Sequence, residues 1–143
     1  MGKGATFDND LLKLIFNATP VANMADNAAS SPLTNLYVAL HTADPGAGGS
    51  QTTNEVAYTS YARVAVARTT GGFTVTTSST TNAAAVSFPQ CTGGSATATY
   101  FSVGTAASGA GKILYSGALS GSLAISNLIT PSFAIGQLTC SEA

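Results

Sequence analysis

The chain has 143 residues and a formal net charge of −1, and 45% of its residues are hydrophobic but only 8% are charged. This length is typical of one domain, and a small net charge with aromatic residues spread along the chain argues against intrinsic disorder. The five basic residues are scattered, which excludes a basic patch for nucleic acid, and no apolar run is long enough to span a membrane.

The scarcity of charge predicts an assembled protein. Soluble domains carry about 25% charged residues, and a free monomer with far fewer would be poorly protected against association. We therefore expect other subunits to cover much of the surface. The alternative is a soluble monomer whose surface relies on Ser, Thr and Asn. The apolar stretch Leu11 to Phe16 is too short for a signal-peptide core, so we expect synthesis in the cytoplasm of the producing cell.

The first predicted element is a short amphipathic helix in an N-terminal arm, residues 1–20. Thr6 or Asp8 is a suitable N-cap, and Pro20 ends the helical pattern. The candidate partner-binding residues are the four apolar side chains at helical spacing: Leu11, Leu12, Ile15 and Phe16. This apolar face either packs on the chain's own sheet or binds a neighbouring subunit.

The remaining residues, 21–143, are predicted to form a single β domain. After a connector over residues 21–35, apolar Leu36, Val38 and Leu40 alternate with other residues, as in a half-buried strand. Asp44-Pro45-Gly46 then predicts a turn. Further strand patterns cover residues 56–68, 73–77, 83–88, 98–104, 112–116, 119–125 and 133–139, with a polar link at 78–82.

Short strands separated by Gly, Pro and Asn predict a mainly β protein rather than alternating strands and helices. The fold class that we expect is a β-sandwich or a jelly-roll-like barrel of short antiparallel strands, preceded by the N-terminal helix. The sequence does not repeat at a fixed period, which excludes a solenoid.

No group of residues in the sequence predicts a reaction. His41 is the sole histidine and lies near Asp44, but no serine stands in a GxSxG nucleophile motif. A histidine at the end of a strand is more often a hydrogen-bonded structural group. The acidic residues follow no EF-hand pattern, and Arg63 or Arg68 is the natural partner for Asp44 or Glu55. We expect no enzyme activity, no metal and no cofactor.

We also interpret the glycines and cysteines as structural residues. The glycine-rich segments lack the GxxxxGK[ST] frame of a phosphate-binding loop, so we interpret them as turns. Cys91 and Cys140 lie 49 positions apart, without CxxC spacing, which argues against zinc. They are expected to be small buried or half-buried thiols, and the sequence leaves open whether they pair.

Several longer segments resemble one family. LYVALHTADPG (Leu36 to Gly46), NEVAYTSYARVAVAR (Asn54 to Arg68), NAAAVSFPQCTGGSATATYFSVGTAASGAGKILYSGALS (Asn82 to Ser120) and ITPSFAIGQLT (Ile129 to Thr139) resemble small virion proteins of tailed bacteriophages. Such proteins are often called phage tail fibre proteins. The resemblance covers nearly the whole chain from Leu36 onwards and implies a structural protein of the particle.

The resemblance implies two positions in the particle. A compact β domain of this size is similar to capsid decoration (cement) proteins, which sit on the outside of the head, often as trimers, and hold capsomers together. The first expectation is therefore a homotrimer bound to several major capsid subunits. Leu11, Leu12, Ile15 and Phe16 would be the anchors of a reaching arm. The alternative is a tail or tail-fibre component involved in host attachment.

Two further classes remain open. A host-binding module could stack sugars on tyrosines, although packing in the core is the commoner role of such residues. The candidates are Tyr37, Tyr58, Tyr61 and Tyr100. An enzyme would require His41 to be essential for activity but not for folding.

Overall fold

The computed structural model of the protein describes residues 5–21 and 32–142. The predictions for residues 1–4 and for most of the connector, 22–31, lie outside these ranges. The described chain is mainly β, with several antiparallel sheets and one short N-terminal helix, which confirms the predicted fold class. No helix among the described residues has the length and apolar character needed to cross a membrane.

One helix and nine strands make up the described chain. In chain order they are α1 Ala5–Phe16, β1 Asn35–His41, β2 Val64–Ala67, β3 Phe73–Thr76, β4 Ser79–Asn82, β5 Val86–Ser87, β6 Ala96–Gly104, β7 Ile113–Ile125, β8 Ser132–Phe133 and β9 Thr139–Ser141. The sheets have the orders β2-β1-β6-β7, β3-β4-β9 and β5-β8.

The contacts within the chain divide it into two compact units. The first unit contains the described residues of Met1–Asn35 together with Val66–Ala85 and Phe133–Ala143, and the second contains Leu36–Ala65 and Val86–Ser132. The predicted division into an N-terminal arm, residues 1–20, and a single β domain, residues 21–143, stays a prediction.

In the first unit, α1 packs against the β3-β4-β9 sheet. Leu12 and Phe16 are fully buried, and the Phe16 ring meets the Phe73 ring edge to face with centroids 4.7 Å apart. The Arg68 guanidinium donates hydrogen bonds to the carbonyl oxygens of Leu14 and Ile15 at the end of α1. A cation is favourable there because the last carbonyl groups of a helix lack partners within the helix.

In the second unit, β1 and β7 pair with β6 on its two sides, both antiparallel. The inward face of this sheet is apolar, because alternate residues of a strand share a face. Its members include Val38, Leu40, Phe101 and Val103, which are all buried. Gly117 lies opposite Phe101 in the pairing of β6 and β7 and leaves room for that ring.

Several strand predictions were wrong in detail. The predicted strand 133–139 is interrupted by a turn between β8, which ends at Phe133, and β9, which begins at Thr139, and the predicted strand 83–88 is regular only at Val86–Ser87. The polar link at 78–82 contains the strand β4, which pairs on both sides, with β3 and with β9. The predicted strand 56–68 is regular only at Val64–Ala67, and the two strands predicted on either side of Gly117 are one strand, β7. The cause at β4 is tertiary: the buried Asn82 side chain donates to the carbonyl groups of Ala84 and Ala134.

Candidate functional site

Polar side chains gather where two loops of the second unit, which leave opposite ends of the β1–β6 pair, come together. We call these loops, residues 42–63 and 105–111, the closing loops. After β1 the chain turns at Asp44, whose carboxylate accepts a hydrogen bond from the Gly46 N–H over 2.9 Å, while Gly46 adopts a left-handed φ of 72°. Glu55 then returns beside His41 as an isolated antiparallel bridge.

His41 is held in a fully buried hydrogen-bonded position. Its Nδ1 lies 2.8 Å from the Thr53 carbonyl oxygen and its Nε2 lies 2.8 Å from the Ser102 hydroxyl. Since a carbonyl only accepts, Nδ1 carries the proton and Nε2 accepts from Ser102. Burial lowers the pKa of the His41 imidazole below its ordinary value of 6.5.

The pairing of His41 with Asp44, which a catalytic triad would require, does not occur. Both ring nitrogens of His41 are engaged by other groups, and Asp44 is exposed and bonds the Gly46 N–H instead. The histidine therefore fixes the first closing loop to β6. Among the described residues, no group of three His, Cys, Asp or Glu side chains is placed to hold a metal ion.

Gln51 joins the two closing loops and was missed in the sequence. Its side chain is fully buried; Nε2 donates to the Tyr37 carbonyl over 3.2 Å, and Oε1 accepts from the Ala106 N–H over 3.0 Å. A Cβ atom at Gly104 or Gly111 would overlap the amide of Gln51. The two glycines are therefore required by close approach, and only long-range contacts identify them.

An ion pair forms the polar centre of the closing loops. Arg63 binds Glu55 through two hydrogen bonds, from Nε to Oε1 at 2.7 Å and from Nη2 to Oε2 at 2.8 Å. The same guanidinium donates to the carbonyl oxygens of Ala106 and Gly109 at 2.9 and 2.8 Å. The hydrogen bonds that Arg63 donates to Glu55 raise the pKa of Arg63, with burial acting in the opposite direction. The predicted pairing of an arginine with Glu55 is thus present.

Tyr61 completes this centre. Its hydroxyl donates to Glu55 Oε1 over 3.0 Å and accepts from the Leu40 N–H over 3.1 Å. Burial raises the pKa of the Tyr61 phenol well above its ordinary value. The phenol is therefore a fixed hydrogen-bonding group rather than a proton donor for chemistry near neutral pH.

The ion pair lies beside an open pocket of about 230 Å³. The pocket is lined by Glu55, Tyr61, Ala62, Arg63, Ala107, Ser108 and Gly109. Because Glu55 and Arg63 neutralise each other, the pocket offers hydrogen bonds without a net charge. Its chemistry suits the binding of a small polar group and provides no nucleophile with an adjacent base.

The four tyrosines proposed as sugar platforms lie in different surroundings. Tyr58 is buried and donates to the Pro89 carbonyl over 2.8 Å. The Tyr61 ring packs between Tyr58, with centroids 5.3 Å apart, and Phe88, at 6.2 Å. Tyr37 and Tyr100 are half-buried. Tyr58 and Tyr61 therefore pack in the core, and Tyr61 also lines the pocket.

The four proposed anchors of the N-terminal helix differ in exposure. Leu12 and Phe16 have no exposed surface, whereas Leu11 and Ile15 are half-buried. The large apolar side chain exposed on α1 is Phe7, at 40%. Cys91 and Cys140 are buried free thiols, and burial raises the pKa of Cys140 to about 12.

One family model matches nearly the whole chain. The family is described as "Podophage GP4 fiber I protein gp80", and the match extends over residues 6–141. It therefore includes nearly all of α1 and every strand of the two units. No curated protein matches the chain.

Proposed function

Because the chain belongs to the family of the podophage GP4 fiber I protein gp80, we propose that it is a tail-fibre component that takes part in host attachment. The coarser statement follows from the family itself: the chain is a fibre-type structural protein of a phage particle. The observation that supports the proposal is the extent of the match, residues 6–141, since it includes both closing loops as well as the sheets.

The charge-poor surface supports a role in an assembly. With 8% charged residues, association with other subunits removes little hydrated charge from water, and desolvation of unpaired charge is the main cost of burying polar surface. We propose that the protein is a homo-oligomer, with the trimer expected from the sequence as the first state to test. Several weak contacts then act together in the particle.

A binding role without catalysis is part of the proposal. Glu55, Arg63 and Tyr61 satisfy one another's hydrogen bonds in one cluster of the closing loops, which is an arrangement that fixes the loops. The pocket beside this cluster is a candidate contact for a polar group on the host surface. We propose no cofactor and no nucleic-acid partner.

The first test is to locate the protein in the phage particle. The measurement is cryo-electron microscopy of purified virions, with symmetry applied separately to the head and to the tail. We expect a few copies at the tail end. Ordered density in many copies on the outer surface of the head would contradict the tail-fibre proposal.

Such head density would support the second candidate, a decoration protein bound to several major capsid subunits. The low charge and the compact size of the chain favour this role as well. In that case the half-buried helix residues, Leu11 and Ile15, and the exposed Phe7 are the proposed contacts of the N-terminal arm with the capsid.

Attachment is tested with the isolated protein. Purified chain added before the phage should slow adsorption to host cells in proportion to its concentration, because it occupies the same surface groups. The matched control is the Ser108→Lys variant, which adds a charged side chain at the exposed rim of the pocket and should lose the competition. Equal inhibition by both proteins would rule out the pocket as the contact.

A further inference from the structure

The strand β7 leaves one backbone edge of the sheet open. It is the last strand in the order β2-β1-β6-β7, and it pairs with β6 on one side only among the described residues. At 13 residues, Ile113–Ile125, it is also the longest described strand. Since alternate N–H and C=O groups of an edge strand point outwards, a second strand can add to it.

This edge lacks the side chains that usually prevent such addition. Natural edge strands are protected by lysine, proline or inward-pointing charge. The strand β7 contains none of these, and no ionisable side chain other than Tyr115 and Cys140 occurs between Lys112 and Glu142. The exposed positions of the strand are small, with Ser116, Ala118 and Ser122 among them.

Two register shifts interrupt the pairing of β7 with β6: a smaller one at Leu114, between the partners of Gly104 and Val103, and a larger one that divides the strand into two arms. In the pairing with β6, Ala98 faces Leu123 and Tyr100 faces Ala118, so residues 119–122 stand opposite Thr99 alone. Bulges bend an edge strand and increase its twist. At Gly121 a Cβ atom would meet nothing within 4 Å, so the bulge leaves open space at the centre of the edge.

The sequence of β7 is partly symmetric about Leu119. In ILYSGALSGSLAI three of the six residue pairs are identical: Ile113 with Ile125, Ser116 with Ser122, and Gly117 with Gly121. A two-fold axis through Leu119 places these identical residues opposite one another, whereas Leu114 faces Ala124 and Tyr115 faces Leu123. A two-fold contact pairs residue i with j and j with i, so this symmetry fits a second copy of the same chain.

We propose that β7 is a self-association edge, on which β7 of a second copy of this chain lies antiparallel about a two-fold axis near Leu119. The arm Ile113–Tyr115 of each copy pairs with Leu123–Ile125 of the other, and the two bulges meet between the arms. Gly117 and Gly121 allow the backbones to approach there, because neither carries a side chain.

Charge favours a second copy over an unrelated strand. Two copies bring together two edges without lysine, arginine, aspartate or glutamate, so no such group is desolvated and none repels. The inference specifies the self-association of the proposed function, but it does not depend on a position in the tail. A two-fold contact yields dimers, or pairs of trimers if a three-fold contact also forms.

The test exchanges charge at the two positions that this pairing brings face to face. In the variant Ser116→Lys with Ser122→Lys, the introduced lysines oppose each other twice across the axis, and self-association should weaken about tenfold or more. In Ser116→Lys with Ser122→Glu, each lysine meets a glutamate, and self-association should return towards that of the unsubstituted chain. Both positions are exposed, so folding should be unchanged, as checked by circular dichroism.

Sedimentation velocity over a concentration series measures the association. The control, Thr70→Lys with Ala85→Lys, adds the same charge at exposed positions outside β7 and should associate like the unsubstituted chain. The proposal is overturned if the chain stays monomeric at all concentrations, or if the lysine–lysine and lysine–glutamate variants associate equally. Neither result would bear on the location of the protein in virions, which the microscopy tests separately.

Discussion

The two neighbours of β6 lie in opposite environments. On the side of β1, the closing loops fold back over the sheet, and buried His41, Gln51 and Ser102 tie them down. On the other side, β7 ends the sheet with an open edge. Beside β1, buried polar side chains fix the loops, whereas β7, the longest described strand, ends the sheet without a charged side chain.

The largest expected effect is at the ion pair of the closing loops. Arg63→Met removes four hydrogen bonds and leaves Glu55 with Tyr61 as its remaining partner in this cluster. We expect the free energy of unfolding to fall by about 3 kcal/mol, measured by urea denaturation. The double variant Arg63→Met with Glu55→Gln should lose less than the sum of the two single changes, since it leaves no unpaired carboxylate. Simple additivity would contradict the coupling.

The next effect is expected at Gly104, the last residue of β6, beside Gln51. Gly104→Ala places a methyl group against the amide of Gln51, which is buried and hydrogen-bonded at both ends. The expected loss is about 2 kcal/mol of unfolding free energy. In a Gln51→Ala background the same substitution should cost less, because the clash is gone. An equal cost in both backgrounds would show that Gln51 is not the obstacle.

Lowering the pH should decrease the free energy of unfolding through the protonation of His41. The folded-state pKa lies below 6.5, so below about pH 6.5 the unfolded chain takes up a proton that the folded chain does not. The unfolding free energy should therefore fall as the pH drops through 6.5 towards the folded pKa, by at most about 1.4 kcal/mol per pH unit. Urea denaturation between about pH 7.5 and pH 5.5 measures this slope, and His41→Gln should flatten it. A slope unchanged in that variant would assign the effect to other groups.

The smallest effect is expected on the open side. Gly121→Ala adds a methyl group where there is no atom within 4 Å, so the unfolding free energy should change by less than about 0.5 kcal/mol. The comparison with Gly104→Ala is direct, since both glycines lie in neighbouring strands of one sheet. Similar decreases in the unfolding free energy for Gly104→Ala and Gly121→Ala would contradict the difference between the packed loops and the open edge of β7.

The elements that rest on local patterns could be predicted from the sequence. The helix α1 follows from apolar residues at helical spacing, and β1 and β6 follow from alternation over six or more residues. The turn at Asp44 follows from the chemistry of Asp, Pro and Gly, and the carboxylate of Asp44 makes the bond to Gly46 that such a turn requires.

The parts that rest on distant partners could not be predicted. The strand β4 is a row of Ser, Thr and Asn that becomes a strand only because β3 and β9 pair with it. Arg63 meets carbonyl groups 43 and 46 positions along the chain, and Gln51 is paired with Ala106 at a separation of 55. Local propensity carries no information on contacts at such separations.

Composition and short-range periodicity are properties of the chain alone, and they predict a mainly β, charge-poor protein with one N-terminal helix. The phage structural family follows from the match over residues 6–141. Which polar residues are buried and which strand stays open depends on tertiary contacts. Burial and edges are defined by neighbours, and the neighbours of Gln51 and Arg63 come from distant parts of the sequence.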